Sequence, residues 1–124
     1  MSAAAFLSEL AAAIGSERVA AGDAIPPHCR SDWSGVDPVQ PLALVSPRST
    51  EEVAATLRLC SAHRVPVVPQ GGLTGLAGAA VPHPQGIALS LARMQAIESV
   101  DASTRTLLVQ AGATMQSVQQ AAAA

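Results

Sequence analysis

Four glycines stand within eight positions, directly after a short apolar segment: Gly71, Gly72, Gly75 and Gly78. Glycine tolerates positive φ angles and lets another group approach the backbone closely. Successive backbone N–H groups in such a turn can converge on an anion, and the hydroxyl of Thr74 adds a further donor. The segment therefore predicts either an anion-binding loop or a packed glycine-rich turn, and the spacing by itself favours the turn.

The glycine spacing excludes two familiar nucleotide-binding loops. It does not match G-x-G-x-x-G, the dinucleotide fingerprint of the Rossmann fold. It also does not match G-x-x-x-x-G-K-[ST], and no lysine occurs nearby, so a P-loop is excluded. An anion-binding role for this loop therefore has to rest on other evidence.

A strand, a helix and a second strand are predicted before the loop. Residues 42–45 and 65–68 are short apolar runs typical of buried strands. Between them, Ser49 stands three residues before Glu52, which predicts a capping box at the start of a helix that ends near residues 63–64. Its apolar face is predicted to carry Val53, Leu57 and Cys60. This order predicts a βαβ unit with parallel pairing and a right-handed crossover.

Two further strands and a helix are predicted after the glycine-rich loop. Residues 87–91 predict another buried strand, and the alternation over residues 104–111 predicts a further strand that ends before Gly112. Residues 93–104 show neither the helical nor the strand periodicity, so they are predicted to form a connection and a turn. Thr114 is predicted to cap a last helix. The apolar side of that helix is predicted to contain Met115, Val118 and alanines.

Both ends of the chain are rich in alanine. Residues 1–15 predict a helix ended by Gly15, and residues 16–41 predict a loop because glycine and proline recur there. The predicted buried face of the first helix consists of Phe6, Leu7, Leu10 and Ile14. The last helix reaches residues 121–124 without a cap or a polar tail, so we expect an N-terminal fragment. A naturally short chain with a frayed end is the alternative.

Composition and charge limit the function. Hydrophobic residues make up 49% and charged residues 13% of the chain, which is typical of a folded segment. The formal net charge of −2 predicts no nucleic-acid partner. The N-terminus has no positively charged start and is too short to span a bilayer. We therefore expect no membrane-spanning segment and a cytoplasmic location.

Isolated polar and aromatic residues predict no catalytic or metal site. Cys29 and Cys60 lie in no metal-binding spacing and are expected to be reduced and buried. Trp33, the only tryptophan, is expected to anchor packing. The histidines have no acidic or thiol partner at metal-ligand spacing and are expected on the surface: His28, His63 and His83.

Several motifs in order extend the evidence beyond the loop. The loop reads PQGGLTGL from Pro69, and it is preceded by SPRSTEEV from Ser46. It is followed by LSLARM from Leu89 and by VQAG from Val109, while SDW lies before them all, at residues 31–33. Over about residues 30–120, this series resembles the flavin-dependent oxidases and dehydrogenases of the vanillyl-alcohol oxidase superfamily. Within it, the series is most similar to the branch of D-2-hydroxyglutarate dehydrogenase, D-lactate dehydrogenase and the FAD-linked glycolate oxidase subunit.

The resemblance implies an α+β (mixed α/β) fold, the N-terminal part of a PCMH-type FAD-binding domain. Residues 1–40 would be a lead-in, and residues 41–124 would form a small βαβ subdomain followed by the start of a second α+β subdomain. The implied reaction is oxidation of a D-2-hydroxy acid to a 2-oxo acid by hydride transfer to flavin. The implied contacts with the FAD diphosphate are Gln70, Gly71, Gly72, Leu73, Thr74 and Gly75. Further contacts along the cofactor are implied for Gly78, Ser90 and Met94.

The sequence also departs from the family pattern. Leu73 stands where relatives often have Asn or Gly, and Ala79 stands where a second glycine is common. In the family, the substrate domain, the catalytic histidine and a His/Glu metal site lie further towards the C-terminus. The 2-hydroxy acid would therefore bind through a domain that this chain lacks. Two hypotheses remain: the FAD-binding portion of a flavin-dependent oxidoreductase, or a truncated anion- or nucleotide-binding module without catalytic activity.

Overall fold

The first helix packs one face into the core. The structure is a computed structural model that describes residues 2–124. Helix α1 spans Ala3–Ile14, and the hydroxyl of Ser2 caps it by accepting the Ala5 N–H at 3.1 Å. It ends at Gly15, whose φ of 102° suits glycine. Its buried residues are Phe6, Leu10 and Ile14, which confirms the predicted helix, its end and most of its apolar face.

The lead-in contains more structure than the predicted loop. Three short 3₁₀ turns, Ser16–Arg18, Gly22–Ala24 and Pro27–Arg30, alternate with a two-residue strand β1, Val19–Ala20. The prediction of loop throughout this region was therefore wrong at β1. A strand of two residues has no periodicity, and β1 forms through its antiparallel pairing with the next strand.

The main sheet has four strands in the order β1-β2-β4-β3. Strands β2 (Ala43–Val45), β3 (Val67–Gln70) and β4 (Ile87–Ser90) run parallel, which confirms the predicted strands and their orientation. However, β2 and β3 are not neighbours, because β4 lies between them and pairs with both. The apolar β4 takes the central position because strands covered on both faces are apolar throughout. Strand β3 also starts and ends two residues later than predicted.

Helix α2, Thr50–His63, links β2 to β3. Ser49 caps it by accepting the Glu52 N–H at 3.2 Å, as predicted, but the Glu52 carboxylate accepts the Arg48 N–H at 2.7 Å instead of completing the capping box. The predicted apolar face was wrong at Leu57, which is 44% exposed. Thr56 is buried instead, because its hydroxyl donates to the Glu52 carbonyl at 2.8 Å and leaves no unsatisfied polar group.

Side chains on the two faces of the sheet form two apolar clusters. On one face, α1 and α2 cover Ala43, Val45, Ile87 and Leu89. On the other face, Leu44 and Ala88 pack against Ile25 and Cys29 of the lead-in. The lead-in is therefore one layer of the fold and not a peripheral tail.

A smaller unit follows the main sheet. Strands β5 (Ile97–Asp101) and β6 (Thr106–Val109) form an antiparallel pair against which α3 (Met115–Ala123) lies. Thr114 caps α3 as predicted, but β5 was missed because its residues are largely exposed and do not alternate. The prediction that Met115 lies on the packed side of α3 was also wrong, since its side chain is 70% exposed.

Candidate functional site

The glycine-rich loop follows the carboxyl end of β3. Gln70 is the last residue of that strand, and its carbonyl accepts the Leu91 N–H, just beyond β4, at 3.0 Å. The carboxyl ends of β3 and β4 therefore lie side by side, because the two strands are parallel. Ligands of open α/β sheets bind in the crevice outside this edge.

No contact among the described residues requires glycine at positions 71 and 72. A Cβ built on Gly71 or on Gly72 meets no atom of the described residues within 4 Å. Both residues also have φ angles outside the left-handed region. Since neither packing nor backbone conformation demands glycine here, the open space is available to a ligand.

A cleft of about 390 Å³ lies between the loop and the start of α3. No charged side chain lines it, and the N-terminal end of a helix presents free N–H groups and a partial positive charge. An uncharged cleft beside a helix N-terminus is compatible with an anionic group of modest size. Its lining residues are Gly71, Gly72, Thr74, Ala92, Gln95, Ala111, Gly112, Ala113, Thr114 and Met115.

The second half of the loop is held by the lead-in. The Gly75 carbonyl accepts the Trp33 N–H at 3.0 Å. Gly78 has a φ of 82°, and a Cβ on it would lie 3.2 Å from Val36 Cγ2, so this glycine is required by the chain. The four glycines thus divide into an open pair that faces the cleft and a pair engaged by residues 33–36.

Asp32 lies against the same part of the loop. Its Oδ1 accepts the Ser34 N–H at 2.9 Å, which fixes the turn that carries Trp33. Hydrogen bonding from the Ser34 side chain and backbone lowers the pKa of Asp32. Its Oδ2 is buried without a hydrogen-bond partner among the described residues.

Gln70 lies beneath the loop and not on its surface. Its side chain is 1% exposed, and its Nε2 donates to the Cys29 carbonyl at 2.8 Å and to the Ala80 carbonyl at 3.0 Å. The side chain therefore ties the lead-in to the far end of the loop. Its Oε1 has no hydrogen-bond partner within residues 2–124, and the contact of Gln70 with the diphosphate stays a prediction.

Leu73 adopts the left-handed conformation, with a φ of 61°. Its side chain packs against the cluster that contains Ile25 and Cys29. Asn and Gly adopt this conformation more readily than other residues, which explains why they suit the position. Thr74 follows it, and the exposed side chain lines the cleft.

The last two predicted contacts lie beyond β4. Ser90 is half-buried at the end of that strand, and its hydroxyl accepts the Ala92 N–H at 3.4 Å. Met94 is 6% exposed, and its carbonyl accepts the Gly112 N–H at 2.8 Å. Both residues lie near the junction of the two units, and their contacts with a cofactor stay predictions.

The opposite wall of the cleft was missed by sequence reasoning. Gln95, residues 111–113 and Thr114 are brought opposite the glycines only by packing of the second unit on the first. The N-cap signal at Thr114 was the one available hint, because helix N-termini bind anions. Sequence reasoning was also wrong about Trp33, which is 71% exposed and anchors no core.

No helix among residues 2–124 has the length and apolar character needed to cross a membrane.

Comparison with known proteins identifies the class to which this fold and cleft belong. A family profile described as an FAD binding domain matches residues 41–124. The chain therefore belongs to the family of FAD-binding domains of the PCMH type found in FAD-linked oxidoreductases, and FAD is the cofactor of that family.

Curated relatives are considerably longer than this chain. The D-2-hydroxyglutarate dehydrogenase of Xanthomonas citri pv. viticola is 43% identical over 95 residues, which cover 77% of this chain and 20% of the relative. The D-lactate dehydrogenase of Anaerostipes hadrus is 36% identical over 108 residues, covering 86% and 23%. A glycolate oxidase subunit of Escherichia coli K12 is 37% identical over 99 residues, covering 80% and 19%. The chain thus spans about a fifth of the length of these relatives.

Solved structures share the fold. An alkyldihydroxyacetonephosphate synthase superposes with a TM-score of 0.84 at 22% identity, over 95% of this chain and 24% of the other. The p-cresol methylhydroxylase superposes with a TM-score of 0.80 at 22% identity, over 95% and 24%. These similarities confirm the mixed α+β fold of the domain.

Proposed function

We propose that this chain supplies the diphosphate-binding part of the FAD site in an oxidoreductase that converts a D-2-hydroxy acid to a 2-oxo acid. Bound FAD would supply the hydride acceptor. The proposed contacts are the backbone at Gly71 and Gly72, the hydroxyl of Thr74 and the start of α3 at Thr114. Gln70, Gly75 and Gly78 would hold the loop in shape and remain proposed contacts with the cofactor. Leu73, Ser90 and Met94 remain proposed contacts further along the cofactor.

One observation carries the proposal: the open pair of glycines. Gly71 and Gly72 face free space, although neither packing nor φ requires glycine there. A side chain at either position would occupy the cleft that a diphosphate needs for close approach to backbone N–H groups. An uncharged lining also suits a group that brings its own negative charges.

The hydroxy-acid substrate rests on the relatives alone. Proteins named D-2-hydroxyglutarate dehydrogenase, D-lactate dehydrogenase and glycolate oxidase subunit cover between 77% and 86% of this chain. Each acts on a 2-hydroxy acid according to its name. We infer the same substrate class for the oxidoreductase to which this segment contributes, with the acid bound outside residues 2–124. A cytoplasmic location stays a prediction.

The chain alone is proposed to bind the cofactor without turnover. No titratable side chain lines the cleft, so the described residues offer no proton acceptor beside it, and general base catalysis needs such a group within hydrogen-bond reach. We expect no oxidation of D-lactate, glycolate or D-2-hydroxyglutarate by the purified chain with FAD. Measurable reduction of a dye acceptor with any of these acids would contradict this expectation.

Equilibrium dialysis with FAD tests the diphosphate site. We expect weak, saturable binding to the wild-type chain. The double variant Gly71→Ala/Gly72→Ala should weaken it by about tenfold or more, equivalent to roughly 1.4 kcal/mol, because two methyl groups enter the cleft. Ser61→Thr adds a methyl group on the exposed side of α2 and should bind like the wild type.

Two results would count against the site. Absence of any FAD binding by the wild-type chain would overturn the proposal for this polypeptide. Equal binding by the double variant and the wild type would show that the diphosphate lies elsewhere. Thermal unfolding of both proteins separates a loss of binding from a loss of folding.

A chimera tests the enzyme class. Residues 41–124 would replace the matching segment of the Xanthomonas D-2-hydroxyglutarate dehydrogenase. We expect the chimera to retain FAD and to oxidise D-2-hydroxyglutarate, and the double glycine variant of the chimera to lose FAD. A folded chimera that retains no FAD would contradict the proposed role.

A further inference from the structure

Trp33 is an exposed tryptophan in a chain with few aromatic residues. The chain contains one Phe and one Trp. Phe6 is buried at 2% exposure, whereas Trp33 is 71% exposed. Exposing so large an apolar side chain is unfavourable, and large aromatic side chains are enriched where proteins bind ligands and partners.

The backbone that carries Trp33 is held against the glycine loop. The Trp33 N–H donates to the Gly75 carbonyl at 3.0 Å. On either side, Asp32 Oδ1 accepts the Ser34 N–H at 2.9 Å, and Ser34 Oγ accepts the Val36 N–H at 3.2 Å. None of these bonds uses the indole, so they fix the backbone of Trp33, while its side chain has no hydrogen-bond partner among residues 2–124.

Trp33 borders a second cavity beside the glycine loop. This cavity of about 180 Å³ is lined from the lead-in by His28, Ser31, Asp32 and Trp33, and from the loop by Gly72, Leu73 and Thr74. Gly72 and Thr74 also line the larger cleft beside α3. A ligand whose diphosphate lies at these two residues therefore has Trp33 within reach of one of its ends.

We propose that Trp33 binds a planar ring of the cofactor by stacking, with Asp32 and Ser34 as positioning residues. This inference rests on the proposed FAD site. The cavity is smaller than the pockets that enclose whole ligands, but a stacking platform needs to cover only one face of a ring. Trp33 lies before the segment that matches the FAD-binding family, which starts at residue 41. The lead-in would therefore complete the cofactor site.

Substitution of Trp33 in the full 124-residue chain tests the proposal. Trp33→Ala should weaken FAD binding in equilibrium dialysis by about tenfold, the typical effect of removing one aromatic ring from a stacked base. Trp33→Phe should restore most of the affinity. Leu57→Ala, which removes another exposed apolar side chain from the far side of the sheet, should bind FAD like the wild type.

Binding of FMN, which contains the flavin ring, and of ADP, which contains the adenine ring, shows which ring of FAD stacks on Trp33. If the flavin stacks on Trp33, the Ala variant loses affinity for FMN, and its bound FAD loses the long-wavelength absorbance that results from stacking of an indole on a flavin. If adenine stacks there, the Ala variant loses affinity for ADP instead. Either result supports the proposal.

Two results would contradict the proposed role of Trp33. Wild-type affinity of Trp33→Ala for FAD, FMN and ADP would overturn the role of Trp33 while leaving the diphosphate site intact. Absence of FAD binding by the wild-type chain would overturn the proposed function and this inference together. Because the side chain is 71% exposed, the Ala variant should unfold at the same temperature as the wild type.

Discussion

Gly112 is a glycine that the fold requires, because a side chain at this position would collide with the backbone. A Cβ on this residue would overlap the Leu91 carbonyl oxygen and lie 2.8 Å from that of Met94. Both contacts are with backbone, which cannot move aside as a flexible side chain does. The glycine at the end of the VQAG motif therefore permits the close junction of the two units, whereas Gly71 and Gly72 have free space around them.

Alanine substitutions should separate these two kinds of glycine. We expect Gly112→Ala to reduce the free energy of unfolding by roughly 3 kcal/mol or more, because the backbone has to shift. Gly71→Ala should change it by no more than about 0.5 kcal/mol. Urea unfolding followed by circular dichroism measures both. Equal stabilities of the two variants would contradict the contact geometry.

Cys60 provides a second prediction at the residue scale. Burial raises the pKa of its thiol from 9.0 to about 11. Because the folded-state pKa is raised, this contribution to stability is complete below pH 9 and is lost as the pH rises towards 11. We expect the folded chain to react slowly with a disulfide reagent at pH 8 and rapidly in urea. Rapid reaction of Cys29→Ser in the folded state would contradict the burial of Cys60.

At the scale of elements, Glu52 joins the start of α2 to the lead-in. Its carboxylate accepts the Arg48 N–H at 2.7 Å and the Arg18 Nε–H at 2.9 Å. The Arg48 N–H is the largest cause of the lowered pKa of Glu52, and Arg18 adds to it. One side chain thus holds the backbone just before the N-cap of α2 and pairs with the residue before β1, which a capping-box motif alone does not predict.

Replacing Glu52 should remove its contacts with Arg48 and Arg18 and reduce the stability of the fold in a pH-dependent way. We expect Glu52→Gln to reduce the free energy of unfolding by roughly 1 to 2 kcal/mol at pH 7, because hydrogen bonds to a charged group are lost. A lowered pKa stabilises the fold above the ordinary value of 4.5, and this contribution disappears as the pH falls through the folded-state pKa. The difference between wild type and variant should therefore shrink towards pH 3.

Urea unfolding at several pH values measures this difference. Glu51→Gln is the matched control, since Glu51 lies next to Glu52 and is exposed. A Glu52→Gln effect that stays constant from pH 7 to pH 3 would show that the charge is not its cause.

Across the whole molecule, the unit built on the four-stranded sheet buries more apolar surface than the unit of β5, β6 and α3. The four-stranded sheet carries apolar clusters on both faces. In contrast, α3 has no buried residue, and Val100 and Leu108 of the two-stranded sheet are 54% and 59% exposed. An isolated pair of strands is marginally stable in water, so the second unit depends on its junction with the first.

Native-state hydrogen exchange should reveal this difference. We expect amides of β5 and β6 to exchange by local opening, faster than amides of β2 and β4, because they belong to a unit with little buried apolar surface. Mass spectrometry of peptic peptides provides the measurement. Equal protection of both sheets would contradict the prediction. Gly112→Ala should increase exchange in β5 and β6 before it affects β2 and β4.

Local features of this protein could be predicted from its sequence. Helix α1 and its stop at Gly15, the N-caps Ser49 and Thr114, and strands β2 and β4 all depend on residues within a few positions of one another. The order of motifs around the glycine loop also indicated the FAD-binding family. These signals survive without tertiary information because capping and periodicity are short-range effects.

Tertiary structure alone decided how these elements meet. Strand β1 exists because β2 offers an edge, and β4 separates β2 from β3 because it pairs with both of them. The Gln70 side chain is buried because folding brings the carbonyls of Cys29 and Ala80 beside it, and its amide donates a hydrogen bond to each. Neighbours across a sheet and burial of one side chain depend on contacts between distant segments. A linear pattern of residues therefore identifies the loop and its class, but packing determines which glycines are open to a ligand.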